Sequence, residues 1–320
     1  MAKLAMVFPG QGSQSVGMMN GYGRLGAVQS VIAHASEVLK QDIGKLMAEG
    51  PAEELGRTVN TQPVMVAAAY AAYQGWKELG GAEPRIVAGH SLGEYTALVV
   101  AGVMAFADCL PLVRMRAQAM QEAVPQGTGA MAAILGLDED AVRSACAEAG
   151  QGEVVEAVNF NAPGQVVIAG HAAAVQLGMN ACKVRGAKRA VALPVSAPFH
   201  SSLMAPAAEK LREAFARLTF NAPRIPVIHN FDAKSHGDGQ AIKDALVGQA
   251  DHPVRWVECM QAMAAQGVTH VLECGPGKVL APLANRISGA LQGLALADRA
   301  GIDQGLQTFG RTAGEAGHAG

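Results

Sequence analysis

Residues 87 to 100 read VAGHSLGEYTALVV, with Ser91 two residues after Gly89 and two before Gly93 and an apolar segment on either side. G-x-S-x-G is the sequence form of a sharp strand-to-helix turn that exposes a serine hydroxyl at a helix N-terminus. With 38 glycines in 320 residues, about 0.15 chance matches to the bare pattern are expected, so placement has to carry the reading. Here the pattern follows the strand-like RIVA (85–88) and opens a helical run from about Ser91. Glycine on both sides lets the backbone reverse without a side-chain clash. A serine hydroxyl is a poor nucleophile unless it is held beside a base. The turn makes Ser91 the candidate nucleophile and aims the amide of Leu92 where an oxyanion would form.

Outward from this turn, short apolar runs ending in glycine or proline alternate with longer helical patterns. KLAMVFPG is followed by helices to about Leu79, then RIVAGH, then the helix from Ser91, and VTHVLECGPG (268–277) repeats the same strand-to-turn form. Such alternation predicts parallel βαβ units and an α/β fold. Residues 130–195 differ. AMAAILGL (130–137), a helix over 138–149, VVEAVNF (154–160), QVVIAG (165–170), a helix over 172–184 and RAVALPV (189–195) give β-α-β-β-α-β, the ferredoxin-like order. A small domain over 124–197 is therefore expected inside a large one made of 1–123 and 198–320. The tail GRTAGEAGHAG (310–320) is small, polar and glycine-rich, and is expected to fray.

Composition narrows the function classes. Charged residues are 16% and the net charge is −2, without the basic excess of a nucleic-acid binder. Cys109, Cys146, Cys182, Cys259 and Cys274 are odd in number, widely spaced and form no C-x-x-C. That pattern opposes a disulfide framework or zinc site and points to reduced thiols in a cytoplasmic protein. The Leu4 to Phe8 run is too short for a signal segment. The longest uncharged run, Thr58 to Trp76, holds Asn60, Gln62, Pro63 and Gln74 and reads as a buried helix, with no membrane span.

A second glycine turn, FPGQGSQ (8–14), places Gly10 and Gly12 as in G-x-G-x-x-G, but Ser15 occupies the third glycine position, which opposes a dinucleotide site. Gln11, between two glycines, can instead offer its backbone N–H as a second oxyanion donor. Nine histidines could serve as base. His34, His171, His236, His252, His270 and His318 lie in helical, turn or tail contexts. His90 adjoins Ser91 but points away on alternating strand geometry, which suits support. His200, in VSAPFHSSLM after the insert, and His229, in PVIHNFD, remain the candidates.

In order along the chain, FPGQGSQ, GHSLGEY, VRMRAQAMQEA, VNFNAPGQVVIAG, APFHSSLM and GPGKVL resemble the malonyl-CoA:acyl carrier protein transacylases of bacterial type II fatty acid synthesis, from Lys3 to about Ile287. The resemblance implies an α/β-hydrolase-like large domain with a ferredoxin-like insert, and a Ser91–His200 pair whose imidazole is oriented by a main-chain carbonyl near Gln249. It implies no bound cofactor or metal, the substrates being malonyl-CoA and a phosphopantetheinylated acyl carrier protein. It also places the family's carboxylate-binding arginine at Arg116. The helical wheel does not choose: around a stripe of Leu110, Val113, Ala117 and Met120, Arg114 and Arg116 sit on opposite shoulders. Phe199 before the histidine resembles the malonyl-selective form of related polyketide acyltransferases, because a ring there crowds an α-methyl branch.

Two readings share these motifs: a serine esterase or thioesterase, built on the same turn, and a trans-acting polyketide acyltransferase. A non-catalytic carrier-binding module would leave the Ser91, His200 and Arg116 set unexplained. Lys183, Arg185, Lys188 and Arg189 in CKVRGAKRA form either a solvated helix end or a docking patch for an acidic carrier.

Overall fold

The apolar run LAMVF cannot alternate between core and water, and it forms a strand buried along its whole length, β1 (Leu4–Phe8). Leu4, Met6 and Phe8 enter one hydrophobic core while Ala5 and Val7 enter another on the opposite face of the sheet. This is the computed structural model of the chain, which describes residues 3–195 and 197–309. The tail at 310–320, with His318, lies outside the described residues.

After β1 come α1 (Gly26–Leu39), α2 (Ile43–Glu49), α3 (Ala52–Gly56), α4 (Thr58–Glu78) and β2 (Ile86–Gly89). Helices α5 (Gly93–Val100) and α6 (Phe106–Glu122) lead to β3 (Gly129–Leu135), α7 (Glu139–Gly150), β4 (Val155–Ala162), β5 (Gln165–His171), α8 (Ala172–Val184) and β6 (Arg189–Ala192). The remainder is α9 (Ala205–Phe215), β7 (Val227–Ile228), α10 (Gly239–Asp251), α11 (Trp256–Ala265), β8 (His270–Glu273), α12 (Ala281–Ile287), β9 (Gln292–Ala295) and α13 (Arg299–Phe309).

The fold is mixed α/β with two sheets. One has five strands in the order β7-β2-β1-β8-β9, all neighbours parallel. The other has four in the order β4-β5-β3-β6, all antiparallel. On one face of this second sheet, Ala132, Ile134, Phe160 and Ile168 pack with α7 and α8. On the other, Met131, Val158 and Val167 pack with Met120, Phe199 and Met204. Strand β4 is tied to the connection between α10 and α11 where Phe160 N donates to Val254 O at 3.0 Å and Val254 N to Val158 O at 2.8 Å.

Several expected element ends differ by a few residues, β3 stopping at Leu135 and β4 running on to Ala162 among them, and two have a plain local cause. The strand read through Val195 stops at Ala192, because Pro194 has no N–H to give to a ladder. The helix read from Ser91 starts at Gly93, because Ser91 has φ 51°, outside the helical region. Helix α4 is buried over most of its length, as the uncharged run predicts. Among the described residues no helix is long and apolar enough to cross a membrane.

Parallel pairing puts the carboxyl ends of β7, β2, β1 and β8 on one rim, where open α/β sheets build their sites. The turns there are nearly touching. A Cβ on Gly93 would lie 2.1 Å from Phe8 O, and one on Gly10 would lie 2.5 Å from His90 O. Gly93→Ala should therefore lower stability by about 2 to 3 kcal/mol, the scale of core overpacking. Gly150→Ala, whose added carbon meets nothing within 4 Å, should shift it by about 1 kcal/mol or less. Urea unfolding of both variants checks this, and equal midpoints would contradict the steric account.

Candidate active site

Ser91 sits between the end of β2 and the start of α5 with its backbone in the left-handed region, at φ 51°. A non-glycine residue there costs of order 1–3 kcal/mol and persists only when its surroundings hold it. Asn230, just beyond β7, supplies that hold. Its Oδ1 accepts the Ser91 N–H at 2.6 Å and its Nδ2 donates to Gly89 O at 2.8 Å. The Ser91 carbonyl accepts from Gln249 Nε2 at 3.0 Å. His200, on the loop after β6, is also left-handed, with φ 65°.

Ser91 Oγ lies 2.7 Å from His200 Nε2, and His200 Nδ1 lies 2.8 Å from Gln249 O. A carbonyl only accepts, so Nδ1 carries the hydrogen and Nε2 is left bare to accept from the serine hydroxyl. The pair needs no acid. Burial, and then the nearby Arg116 charge, pull His200 down from 6.5 to about 3, opposed by the Gln249 carbonyl. The ring is held in its basic, neutral form.

Arg116, from α6, is 1% exposed. Its Nη1 donates to Gln62 Oε1 at 2.9 Å, and its Nη2 to Gln249 Oε1 at 3.1 Å and to Ser91 Oγ at 3.3 Å. Its Nε has no partner among the described residues. Every acceptor it touches is neutral, although an uncompensated buried charge costs several kcal/mol. Burial pulls its pKa down from the ordinary value, with Tyr95 and Glu94 acting against the shift.

Ser91, His200, Arg116 and Gln62 line one cavity of about 580 Å³, together with Gln11, Leu92, His90 and Phe199. The backbone N–H groups of Gln11 and Leu92 bond to no described residue. Two open amides beside a serine–histidine pair can stabilise a tetrahedral oxyanion, and the guanidinium can grip a carboxylate with parallel hydrogen bonds. No group of three or more His, Cys, Asp and Glu among the described residues could hold a metal ion.

A family model for the acyl transferase domain matches residues 5–291. The chain is 52% identical over 308 residues to malonyl CoA-acyl carrier protein transacylase of Escherichia coli K12, covering 96% of this chain and 100% of that one. The chain belongs to the acyl transferase family, among the malonyl CoA-acyl carrier protein transacylases. Its fold matches an acyl-carrier-protein S-malonyltransferase from Burkholderia pseudomallei with TM-score 0.94 and 62% identity, over 95% of this chain and 99% of that one. It also matches a malonyl-transacylase solved in complex with its type II PKS acyl-carrier protein, with TM-score 0.94 and 47% identity over 96% and 100% of the two chains.

Within this transacylase fold, Ser91, His200, Arg116, Gln11, Leu92, Phe199 and the Gln249 carbonyl come together as the sequence reading expects. His90 turns its Nε2 to Asn161 Oδ1 at 2.7 Å and its ring toward Trp256, away from hydrogen-bond contact with Ser91. His229, the rival base, faces Glu94 Oε1 through Nδ1 at 2.7 Å and is fully buried. Arg114 donates instead to Leu39 O and Gln41 Oε1, which leaves Arg116 as the arginine of the site.

Four polar groups escaped the sequence reading: Gln62, Glu94, Asn230 and the side chain of Gln249. Glu94 is the informative one. A single charge at the head of the apolar run YTALVV (95–100) is expensive to bury and signals a partner.

A histidine at about 3 in the folded state and 6.5 unfolded contributes stability that is intact above 6.5 and lost as pH falls toward 3. The same shift predicts that labelling of Ser91 by an uncharged sulfonyl fluoride is nearly constant from about pH 5 to 8, since the imidazole stays deprotonated there. In Arg116→Gln the inflection should rise, because a positive neighbour is gone. An inflection near 6.5 in the unsubstituted protein would contradict this environment.

Proposed function

We propose that the chain moves a malonyl group from malonyl-CoA to the phosphopantetheine thiol of an acyl carrier protein through an ester on Ser91. The observation that carries this reading is the fully buried Arg116 guanidinium, 3.3 Å from the nucleophilic oxygen and bonded only to neutral acceptors. A cation kept dry beside a nucleophile is suited to an acyl group that brings its own carboxylate.

Attack of Ser91 Oγ on the thioester carbonyl passes the hydroxyl proton to His200 Nε2 as the C–O bond forms. The amides of Gln11 and Leu92 stabilise the oxyanion, and its collapse expels the coenzyme A sulfur, which takes the proton from His200. In the second half the carrier thiol gives its proton to His200 and attacks the malonyl ester. Collapse then returns the proton to the Ser91 oxygen, so the kinetics are ping-pong. The Gln249 carbonyl keeps the imidazole in the productive tautomer, and His90 supports the wall beside Asn161.

Phe199, 9% exposed and lining the cavity, narrows the space for an α-methyl branch. For the frame, we read 1–123 and 198–320 as an α/β-hydrolase-like domain and 124–197 as a ferredoxin-like insert. The β4-β5-β3-β6 order supports the second assignment. Carrier docking draws on the exposed Lys183, Lys188 and Arg189, whereas Arg185 is already ion-paired with Glu148.

Intact-mass analysis after mixing with malonyl-CoA, then with holo carrier protein, tests the reading. A malonyl adduct should form on the unsubstituted chain, pass to the carrier, and be absent from Ser91→Ala. Loss of the adduct to water without transfer would instead make the protein a hydrolase. Arg116→Ala should lose about 100-fold or more in kcat/KM with malonyl-CoA, the scale of a broken buried charge pair. The same variant should gain with acetyl-CoA relative to malonyl-CoA, and equal losses with both thioesters would sink the clamp.

A further inference from the structure

Glu94 lies one turn beyond the nucleophile on α5 and is 0% exposed. Burying a carboxylate is costly unless its oxygens are occupied by donors. Its Oε1 faces His229 Nδ1 at 2.7 Å, while its Oε2 accepts the Asn230 N–H at 2.9 Å and Gln249 Nε2 at 2.8 Å. None of these atoms touches the Ser91 hydroxyl, although Gln249 Nε2 also donates to the Ser91 carbonyl at 3.0 Å.

A main-chain N–H can only donate, so Oε2 is committed as an acceptor and Gln249 must turn its nitrogen toward it. The oxygen of the same carboxamide then faces the other way, and Arg116 Nη2 donates to it at 3.1 Å. With no acceptor at that position the Gln249 carboxamide could flip at little cost. Beside a carboxylate it cannot, because the flip would set two acceptors against each other on one side and two donors on the other. The Asn230 link fixes a second amide, since its main chain holds Glu94 and its side chain holds Ser91 N and Gly89 O.

We propose that Glu94 is a positioning residue: its carboxylate fixes the direction of the Gln249 carboxamide and so holds Arg116 in the orientation that grips the substrate carboxylate. Standing one amide away, it supplies a buried negative charge without occupying the guanidinium, whose remaining capacity is left to the acyl group. A carboxylate bonded directly to Arg116 would compete with malonyl for the same donors. This inference rests on the clamp reading of Arg116.

The test measures kcat and KM for malonyl-CoA and for acetyl-CoA, with carrier thiol as acceptor, in Glu94→Leu, Gln249→Met, the double variant and Arg116→Ala. Glu94→Leu, which removes the acceptor, should lower the malonyl-to-acetyl ratio of kcat/KM by about tenfold, chiefly through KM for malonyl-CoA, the size of a misdirected charge-assisted hydrogen bond. Gln249→Met should produce a similar fall, and the double variant should fall no further than either single one. A purely structural role for Glu94 would depress both thioesters equally and leave the ratio unchanged, which overturns the proposal. Additive losses overturn the route through Gln249. If Arg116→Ala itself keeps the malonyl preference, the clamp reading fails and the proposal falls with it. If Glu94→Leu does not fold, Gln249→Met carries the test, and an unchanged ratio there is equally decisive.

Discussion

A guanidinium held out of water with no anion bonded to it is the constraint on which the rest of this structure turns. Arg116 is 1% exposed and leans on two carboxamides and the nucleophilic hydroxyl. Amide acceptors recover part of the lost hydration, each charge-assisted hydrogen bond contributing about 1.5–3 kcal/mol. They do not neutralise the charge; Glu94 offsets part of it from one amide away, and on the proposed reading the rest is met when the substrate carboxylate arrives. On that proposed reading, selectivity for an acidic acyl group follows from desolvation already paid for by the fold.

Holding such a group demands rigidity around it, and the parallel sheet provides the frame. Neighbouring strands end on one rim, where glycines let the turns at residues 9–12 and 89–93 approach closely enough to leave two amides open toward the cavity. Both members of the serine–histidine pair occupy left-handed backbone, so the strain sits where the chemistry is. Asn230, Gln249 and Glu94 tie these strained positions to β7 and α10 through hydrogen bonds. The histidine needs no carboxylate because the Gln249 carbonyl already fixes its tautomer. That arrangement suits a site where a second anion beside the imidazole would oppose the malonyl charge.

The strand-and-turn repeats, the β-α-β-β-α-β element order and the turn at Ser91 were legible because each is written in local spacing. Local spacing also misled at element ends: Pro194 cut β6 short, and the left-handed Ser91 delayed the start of α5. Arg116 was not separable from Arg114 on the helical wheel. What separates them is tertiary, since Arg114 meets Leu39 and Gln41 while Arg116 meets Gln62 and Gln249. His200 and His229 were likewise distinguished only by what faces them, Ser91 in one case and Glu94 in the other. Gln62 and Glu94 were visible as polar residues in apolar runs, yet their partners come from α6 and α10, far along the chain, and no periodicity records such a meeting.

The most direct test of the central claim is a crystal structure of the malonyl-enzyme, trapped with Ser91 acylated. The account predicts the malonyl carboxylate bound in bidentate fashion by Arg116, with the ester carbonyl oxygen between the amides of Gln11 and Leu92. A malonyl group on Ser91 whose carboxylate points to solvent, with Arg116 still bonded only to Gln62 and Gln249, would contradict it.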